Sequence, residues 1–364
     1  VLMKCLVGLY SPDEGFIHFD ERILRQLSKK EKVNLRKDIG MLFQGSALFD
    51  SMNVEENIMF PIRMFQRSDY KTMKKVHNFT AGPCVLPQQA IDNAIEALKD
   101  FKGTGIPVIS ISHRTKEWDA VMDECRALWR ELLNIPEDYE ILFLGGGASM
   151  GFLYVAMNFL ENKAAYLETG VWAKKALKEA KGLGNAYAIA SSAETVYNYI
   201  PKGFEIPSDL DYLHVTTNNT IYGTKFHYIP DTGNIPLVAD MTGFLFSEPV
   251  DVSRFGLIFA SAESNFGIAG LTIVIVKKDL LGKQRDICPT MLNYAIQDKN
   301  DSLYNTPPCF PIYMSLLVFR WLKEMGGVPV MQKINEEKAK LLYDFIDNSS
   351  FYKNKVAVKD RSIM

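Results

Sequence analysis

Gly145-Gly146-Gly147-Ala148-Ser149 follow the apolar run YEILFL and lead into a helical stretch. Glycines at such a turn let backbone N–H groups approach a phosphate, and a helix start adds partial positive charge. A glycine-rich turn is as often only a strand-to-helix connection, so this motif alone decides little. Asp240 ends the run IPLVAD, a place commonly taken by a helix cap or turn residue. Trp172 stands at a helix start, where a core tryptophan is the ordinary reading. His113 by itself reads as a satisfied surface or core histidine, but it precedes Arg114, whose planar fork suits phosphate and carboxylate. The five cysteines are scattered and form no CxxC pair, which points to neither a zinc site nor a disulfide framework. Reduced thiols in a cytoplasmic protein are expected, and no metal.

The 364 residues are 47% hydrophobic and 23% charged, with a formal net charge of -2. Such a chain can bury a large core in two or three domains. Near-neutral charge predicts neither nucleic acid nor an anionic membrane as partner. No apolar run reaches the roughly 18 residues of a membrane span. The Lys29 to Lys37 run, broken by Glu31, reads as a solvated helix face. Val1 to Tyr10 is apolar but short and has no processing site behind it, and both ends of the chain read as cut.

From Pro87 onward, helical and strand-like stretches alternate. QQAIDNAIEALKDF, TKEWDAVMDECRALWRELLN, SMGFLYVAMNFL and WAKKALKEAKGLG have helical spacing. YEILFLG, AAYLE, LHVTTN, IPLVAD, FGLIFAS and LTIVIVKK read as strands, the last four as short β-branched runs of the buried parallel type. The alternation predicts an α/β domain with a mostly parallel sheet, whose ligands lie at the carboxyl ends of the strands.

The motifs AGPCVLP, ISHR, FLGGGAS, TGVWAKKA, TTNNTIYG, VADM and LYNTPP occur in this order. In order and spacing, residues 73–364 resemble the phosphoserine aminotransferases, class-V enzymes dependent on pyridoxal 5′-phosphate (PLP), of the aspartate-aminotransferase fold (PLP fold type I). The resemblance implies a three-layer PLP-binding large domain over residues 73–325 and an incomplete small C-terminal domain from 326. It implies transfer of an amino group between phosphoserine and 2-oxoglutarate in serine biosynthesis, by a homodimer. Ala148 and Ser149 would hold the cofactor phosphate, Trp172 would stack on the ring, and Thr220 would bond its 3-hydroxyl. Asp240 would pair with the pyridinium nitrogen, which keeps the ring an electron sink. Asn305 and Thr306 would reach the neighbouring subunit's cofactor phosphate. His113 and Arg114 would bind the substrate phosphate.

One departure bears on the chemistry. Where the family carries a segment of the form GAQKN, this chain has Ala262-Glu263-Ser264-Asn265. Glu263 stands in the expected glutamine position and Ser264 in that of the Schiff-base lysine. Serine cannot form an imine, and its hydroxyl is far too weakly acidic to move protons as the lysine does. Lys277 and Lys278 lie beyond the next strand and read as solvated. The chain also stops at Met364, before the small-domain arginine that would take the substrate carboxylate, so apolar surface is expected there. A pocket that binds PLP or a phospho-amino acid without turnover is the alternative reading.

Residues 1–65 resemble something else. The phrase IGMLFQGSALFDSMNVEENIMFPI is similar to the ATP-binding subunit of an ABC transporter, with Gln44 as the glutamine that watches the nucleotide's metal. Val1 begins after the place where the phosphate loop would lie, and no LSGGQ-like signature or Walker B acid follows. A fragment without ATPase activity is expected, with 66–72 as a junction. Met73 opens MKKVHNFTAGPCVLP like a protein's own start, as though two reading frames were joined.

Overall fold

A computed structural model of the chain describes residues 14–19, 22–37, 39–40, 77–78, 80 and 82–364. The chain divides into two compact units. One comprises residues 1–81 with 349–352, and the other 82–348 with 353–364.

In the first unit β1 (His18–Phe19) pairs antiparallel with β2 (Arg22–Ile23). Helix α1 (Lys29–Lys37) is opened by a reciprocal cap. The Ser28 N–H donates to Glu31 Oε2 at 2.8 Å, and the Glu31 N–H donates to Ser28 Oγ at 3.3 Å. Lys29 and Lys30 are exposed, while Ile17, Leu24 and Leu35 are buried together. β3 (Ile39–Gly40) pairs in parallel with β4 (His77–Asn78). Val1 to Tyr10, Gln44 and Met73 lie outside the described residues.

The second unit is built on seven strands, β5 (Tyr139–Leu144), β6 (Lys163–Glu168), β7 (Asn185–Ser191), β8 (Tyr212–Thr216), β11 (Leu237–Asp240), β12 (Leu257–Ser261) and β13 (Thr272–Lys277). Their order is β5-β13-β12-β11-β8-β6-β7. A separate hairpin joins β9 (Asn218–Asn219) to β10 (Thr224–Lys225). The neighbours among β6, β7, β8, β11 and β12 run parallel. β13, whose apolar run predicted a parallel strand, is antiparallel to both β12 and β5. A strand buried on both faces is apolar throughout whichever way it runs, so direction leaves no mark on its composition.

Helices cover both faces of the sheet: α2 (Gln88–Lys99), α3 (Lys116–Leu133), α4 (Gly147–Phe159), α5 (Val171–Leu183), α6 (Tyr294–Lys299), α7 (Cys309–Glu324) and α8 (Val328–Asp347). The period of two along β12 serves both cores. Ile258 and Ala260 join the cluster with α3 and α7, whereas Leu257 and Phe259 join the one with α4 and α5. Trp129 of α3 centres the former, edge-on to Phe246, Phe266 and Phe319 at 4.8, 5.1 and 5.1 Å. Lys278 pairs with Glu140 at 3.0 Å and is half exposed, in keeping with a solvated strand end. On α8, Leu341 and Leu342 are exposed.

Candidate active site

The carboxyl ends of β5, β6, β8, β11 and β12 lie along one edge of the sheet, because two antiparallel pairings return β5 to the direction of β12. The turns that carry Ala148 and Ser149, Trp172, and Glu263 and Ser264 leave this edge, and Asp240 ends a strand on it. After β5, Gly146 and Gly147 take φ of +98° and +69°, which side chains disfavour. A Cβ on Gly146 would lie 2.3 Å from Met150 Cγ, so only glycine fits the entry to α4. No side chain caps α4, which leaves its first N–H groups, with Ala148 and Ser149, for a ligand.

Gly170 precedes α5, and a Cβ there would meet Asn219 Oδ1 at 2.6 Å. Buried Asn219 donates to Thr169 Oγ1 at 3.3 Å and to Thr224 Oγ1 at 3.1 Å, tying this turn to the β9–β10 hairpin. Trp172 is half-buried, with Lys175 Nζ 4.3 Å from its ring centroid. Thr220 is exposed at the hairpin tip. A Cβ on Gly243 would lie 2.6 Å from Thr220 Cγ2, so Gly243 is what lets the two turns approach.

Asp240 is buried at the end of β11. Its Oδ1 accepts the Thr242 N–H at 3.0 Å and the Thr242 hydroxyl at 2.7 Å. Its backbone oxygen holds Thr217. Among the described residues Oδ2 accepts no hydrogen bond. Burial pushes the Asp240 carboxyl up to about 6 against the pull of Thr242, and the charge of Glu263 adds to the rise. A buried carboxylate with one free oxygen suits a protonated ring nitrogen.

Glu263 and Ser264 follow β12, both half-buried. The Glu263 backbone oxygen accepts the Cys84 N–H at 2.9 Å. A Cβ on Gly82 would lie 4.0 Å from both Glu263 Cγ and Ser264 Oγ, so the 82–84 backbone closes over this pair. Ser264 lines a cavity of about 530 Å³ with Cys84, Asn335, Lys338, Tyr343 and Ser362. Burial raises the Glu263 carboxyl, and burial with the Glu263 charge raises the Cys84 thiol against Lys338.

The other predicted residues stand on turns before helices. His113 and Arg114 occupy the turn before α3, where Thr115 caps the helix. Arg114 is exposed, and His113 Nε2 is shielded without a hydrogen bond. Asn305 and Thr306 are exposed in the loop before α7, where Asn305 Nδ2 donates to the Thr306 oxygen at 3.0 Å. No hydrogen bond joins any of these four to Asp240 or Ser264 among the described residues.

Sequence reasoning missed Thr242, Asn219 and the Gly82 closure. The Asp-x-Thr spacing was a usable signal for Thr242, since such residues form local side-chain turns. The other two depend on long-range approach and left no local mark.

The uncapped α4 start and the free Asp240 oxygen fit the noncovalent part of a phosphate-bearing pyridine cofactor; Ser264 does not fit its covalent part. This fold and edge-of-sheet cleft define an aminotransferase-like protein of the α/β class. The Aminotransferase class-V family model matches residues 76–364, and the chain belongs to that family. The phosphoserine aminotransferase of Phocaeicola vulgatus is 52% identical over 293 residues, 80% of this chain and 82% of its own length. A solved phosphoserine aminotransferase, studied for radiation damage of its Schiff base, is 46% identical with a TM-score of 0.78, covering 80% of this chain and 82% of its own. The PLP-bound phosphoserine aminotransferase of Trichomonas vaginalis is 35% identical with a TM-score of 0.76, covering 79% and 82%. The ABC transporter family model matches residues 1–118, overlapping the class-V match.

Proposed function

We propose that the second unit carries a phosphoserine aminotransferase site, built to exchange phosphoserine and 2-oxoglutarate for 3-phosphohydroxypyruvate and glutamate with PLP. The observation that carries this reading is the ordered set of seven motifs together with 52% identity to a phosphoserine aminotransferase. When bound, the cofactor supplies the electron sink for the bond-breaking at the amino acid's Cα. Asp240 holds the ring nitrogen protonated through its free oxygen, and Thr242 orients that carboxylate. The α4 N-terminus, with Ala148 and Ser149, binds the phosphate. Trp172 covers the ring and excludes water, and Thr220 bonds the ring hydroxyl. His113 and Arg114 bind the substrate phosphate, and Asn305 and Thr306 complete the site of a neighbouring subunit in a cytoplasmic homodimer.

Ser264 removes the covalent anchor and the proton carrier together. Loss of such a general acid/base lowers the rate by about 10²- to 10⁴-fold. This favours the second reading, a protein that holds its cofactor and phospho-amino acid noncovalently with little or no turnover. Borohydride reduction after incubation with PLP, followed by peptide mass mapping, tests the two. No site-specific adduct with PLP retained supports the noncovalent reading. A pyridoxyl adduct at one defined lysine means that another residue anchors the cofactor, and the enzyme reading survives. In Ser264→Lys, a new adduct at 264 is expected; its absence would mean a pocket defective beyond Ser264.

Residues 1–65 read as part of an ABC ATP-binding subunit, in keeping with that family's model over residues 1–118.

A further inference from the structure

Where the chain enters the β9–β10 hairpin, two consecutive residues hold both ends of the turn that carries Asp240. Thr217 gives its N–H and its hydroxyl to the Asp240 backbone oxygen, at 3.0 and 3.1 Å. Asn218 Nδ2 donates to the Gly243 oxygen at 3.0 Å. Between these two ties lies Thr242, which fixes the Asp240 carboxylate. A Cβ on Gly243 would lie 2.6 Å from Thr220 Cγ2 and 3.2 Å from Asn218 Nδ2, so turn and hairpin touch with no side chain between them. Close-packed groups pass on a displacement rather than absorb it.

The Asn218 amide is buried, and its oxygen needs a donor. That donor comes from 144 residues further along the chain: Ser362 Oγ, itself buried, donates to Asn218 Oδ1 at 2.5 Å. Residues 361–362 run along the hairpin. Arg361 pairs antiparallel with Thr224, and the Ser362 N–H donates to the Gly223 oxygen at 2.9 Å. From the other side α8 holds this segment. Tyr343 Oη donates to the Ser362 oxygen at 2.6 Å, and the Arg361 guanidinium meets the Asp347 carboxylate at 2.5 and 2.8 Å. A continuous series of contacts thus runs from α8 through Ser362 and Asn218 to the turn of Asp240.

We propose that Ser362 is a positioning residue of the cofactor cleft, whose hydroxyl sets the Asn218 amide and, through it, the turn from Asp240 to Gly243. The proposal rests on the reading of Asp240 as the partner of a pyridine ring nitrogen, and adds the residue that holds that partner in place. Alanine at 362 leaves the buried Asn218 oxygen without its donor. The amide then has no fixed direction, and the Gly243 oxygen loses a fixed partner.

The test is calorimetric titration of the purified chain with 4′-deoxypyridoxine 5′-phosphate and, separately, with inorganic phosphate. The first probe uses the ring contacts as well as the phosphate turn and cannot form an imine; the second uses the phosphate turn alone. Ser362→Ala should weaken the ring probe by about three- to tenfold and leave phosphate unchanged. In an Asn218→Ala background the same change should cost nothing more. An unchanged affinity for the ring probe in Ser362→Ala would overturn the proposal. So would an equal loss of both probes, which marks a general loosening of the fold, or a full loss that persists in the Asn218→Ala background. Should Ser362→Ala fail to fold, Tyr343→Phe, which removes only the bond to the Ser362 oxygen, must divide the two probes in the same sense; equal effects on both would sink the idea. No binding of the ring probe to the unaltered chain would overturn the cofactor reading itself, and the proposal with it.

Discussion

Thr242 gives both its N–H and its hydroxyl to the same oxygen of Asp240, at 3.0 and 2.7 Å. The aspartate is thereby clamped on one side, and its second oxygen, at the edge where the strands end, accepts no hydrogen bond among the described residues. The same Thr242 hydroxyl accepts the Ser261 N–H at 3.2 Å, so one side chain links the ends of β11 and β12. Thr242→Val keeps the shape and removes the hydroxyl. It leaves the Ser261 N–H unsatisfied and removes one of the two donors to Asp240 Oδ1, for an expected loss of about 1–3 kcal/mol in urea unfolding. Thr242→Ser should retain most of the stability. Equal losses in both variants would show that the methyl group, not the hydrogen bonds, matters.

Asp240 makes the ligand-free protein less stable as pH rises. Its folded pKa of about 6 lies above the ordinary 3.8, so the folded state binds the extra proton between those values. Stability is therefore highest below about pH 4 for this group and falls as pH rises through 6. Asp240→Asn should stabilise the ligand-free chain at pH 7.5 by on the order of 3 kcal/mol and have little effect near pH 4. The same substitution should weaken the binding of pyridoxal 5′-phosphate. A variant no more stable at pH 7.5 would mean that the carboxylate already has a partner.

His214 carries the opposite sign. It lies fully buried on β8, stacked on Tyr166 at 4.7 Å, and among the described residues neither ring nitrogen has a hydrogen bond. Burial depresses it to about 3 from 6.5, so the unfolded chain binds the extra proton across that window. Its contribution is present above about pH 6.5 and is lost as pH falls toward 3, by on the order of 5 kcal/mol. His214→Phe should preserve the stack and flatten the acid limb of a stability–pH curve. An unchanged acid limb would assign acid unfolding to other groups.

Gly151 tests the packing beneath the phosphate turn. A Cβ there would lie 2.6 Å from Phe259 Cδ2, on an aromatic ring fixed inside the core. Gly151→Ala should cost about 1–3 kcal/mol by overpacking, more than the gain in helix propensity returns. Because it displaces α4 from β12, it should also weaken inorganic phosphate binding at the α4 start. Neutral stability would mean that Phe259 can turn aside.

Much of this protein was legible in its sequence, for a physical reason. A sheet buried on both faces demands near-continuous apolar runs, and each run must end in a turn whose residues answer local backbone needs. YEILFL, LHVT, LVAD and LIFAS therefore announced β5, β8, β11 and β12, and Gly146 and Gly147 announced the left-handed entry to α4. Ser264 in the family's lysine position needed no coordinates, since the identity of a side chain sets whether it can form an imine. The direction of β13 did not show, because hydrogen bonding reads backbone polarity and not composition. Nor did the bracket of Asn219 on Thr169, or Gly82 lying over Glu263 and Ser264. These depend on distances between segments far apart in the chain, and burial, charge coupling and pKa exist only once the tertiary structure has brought those segments together.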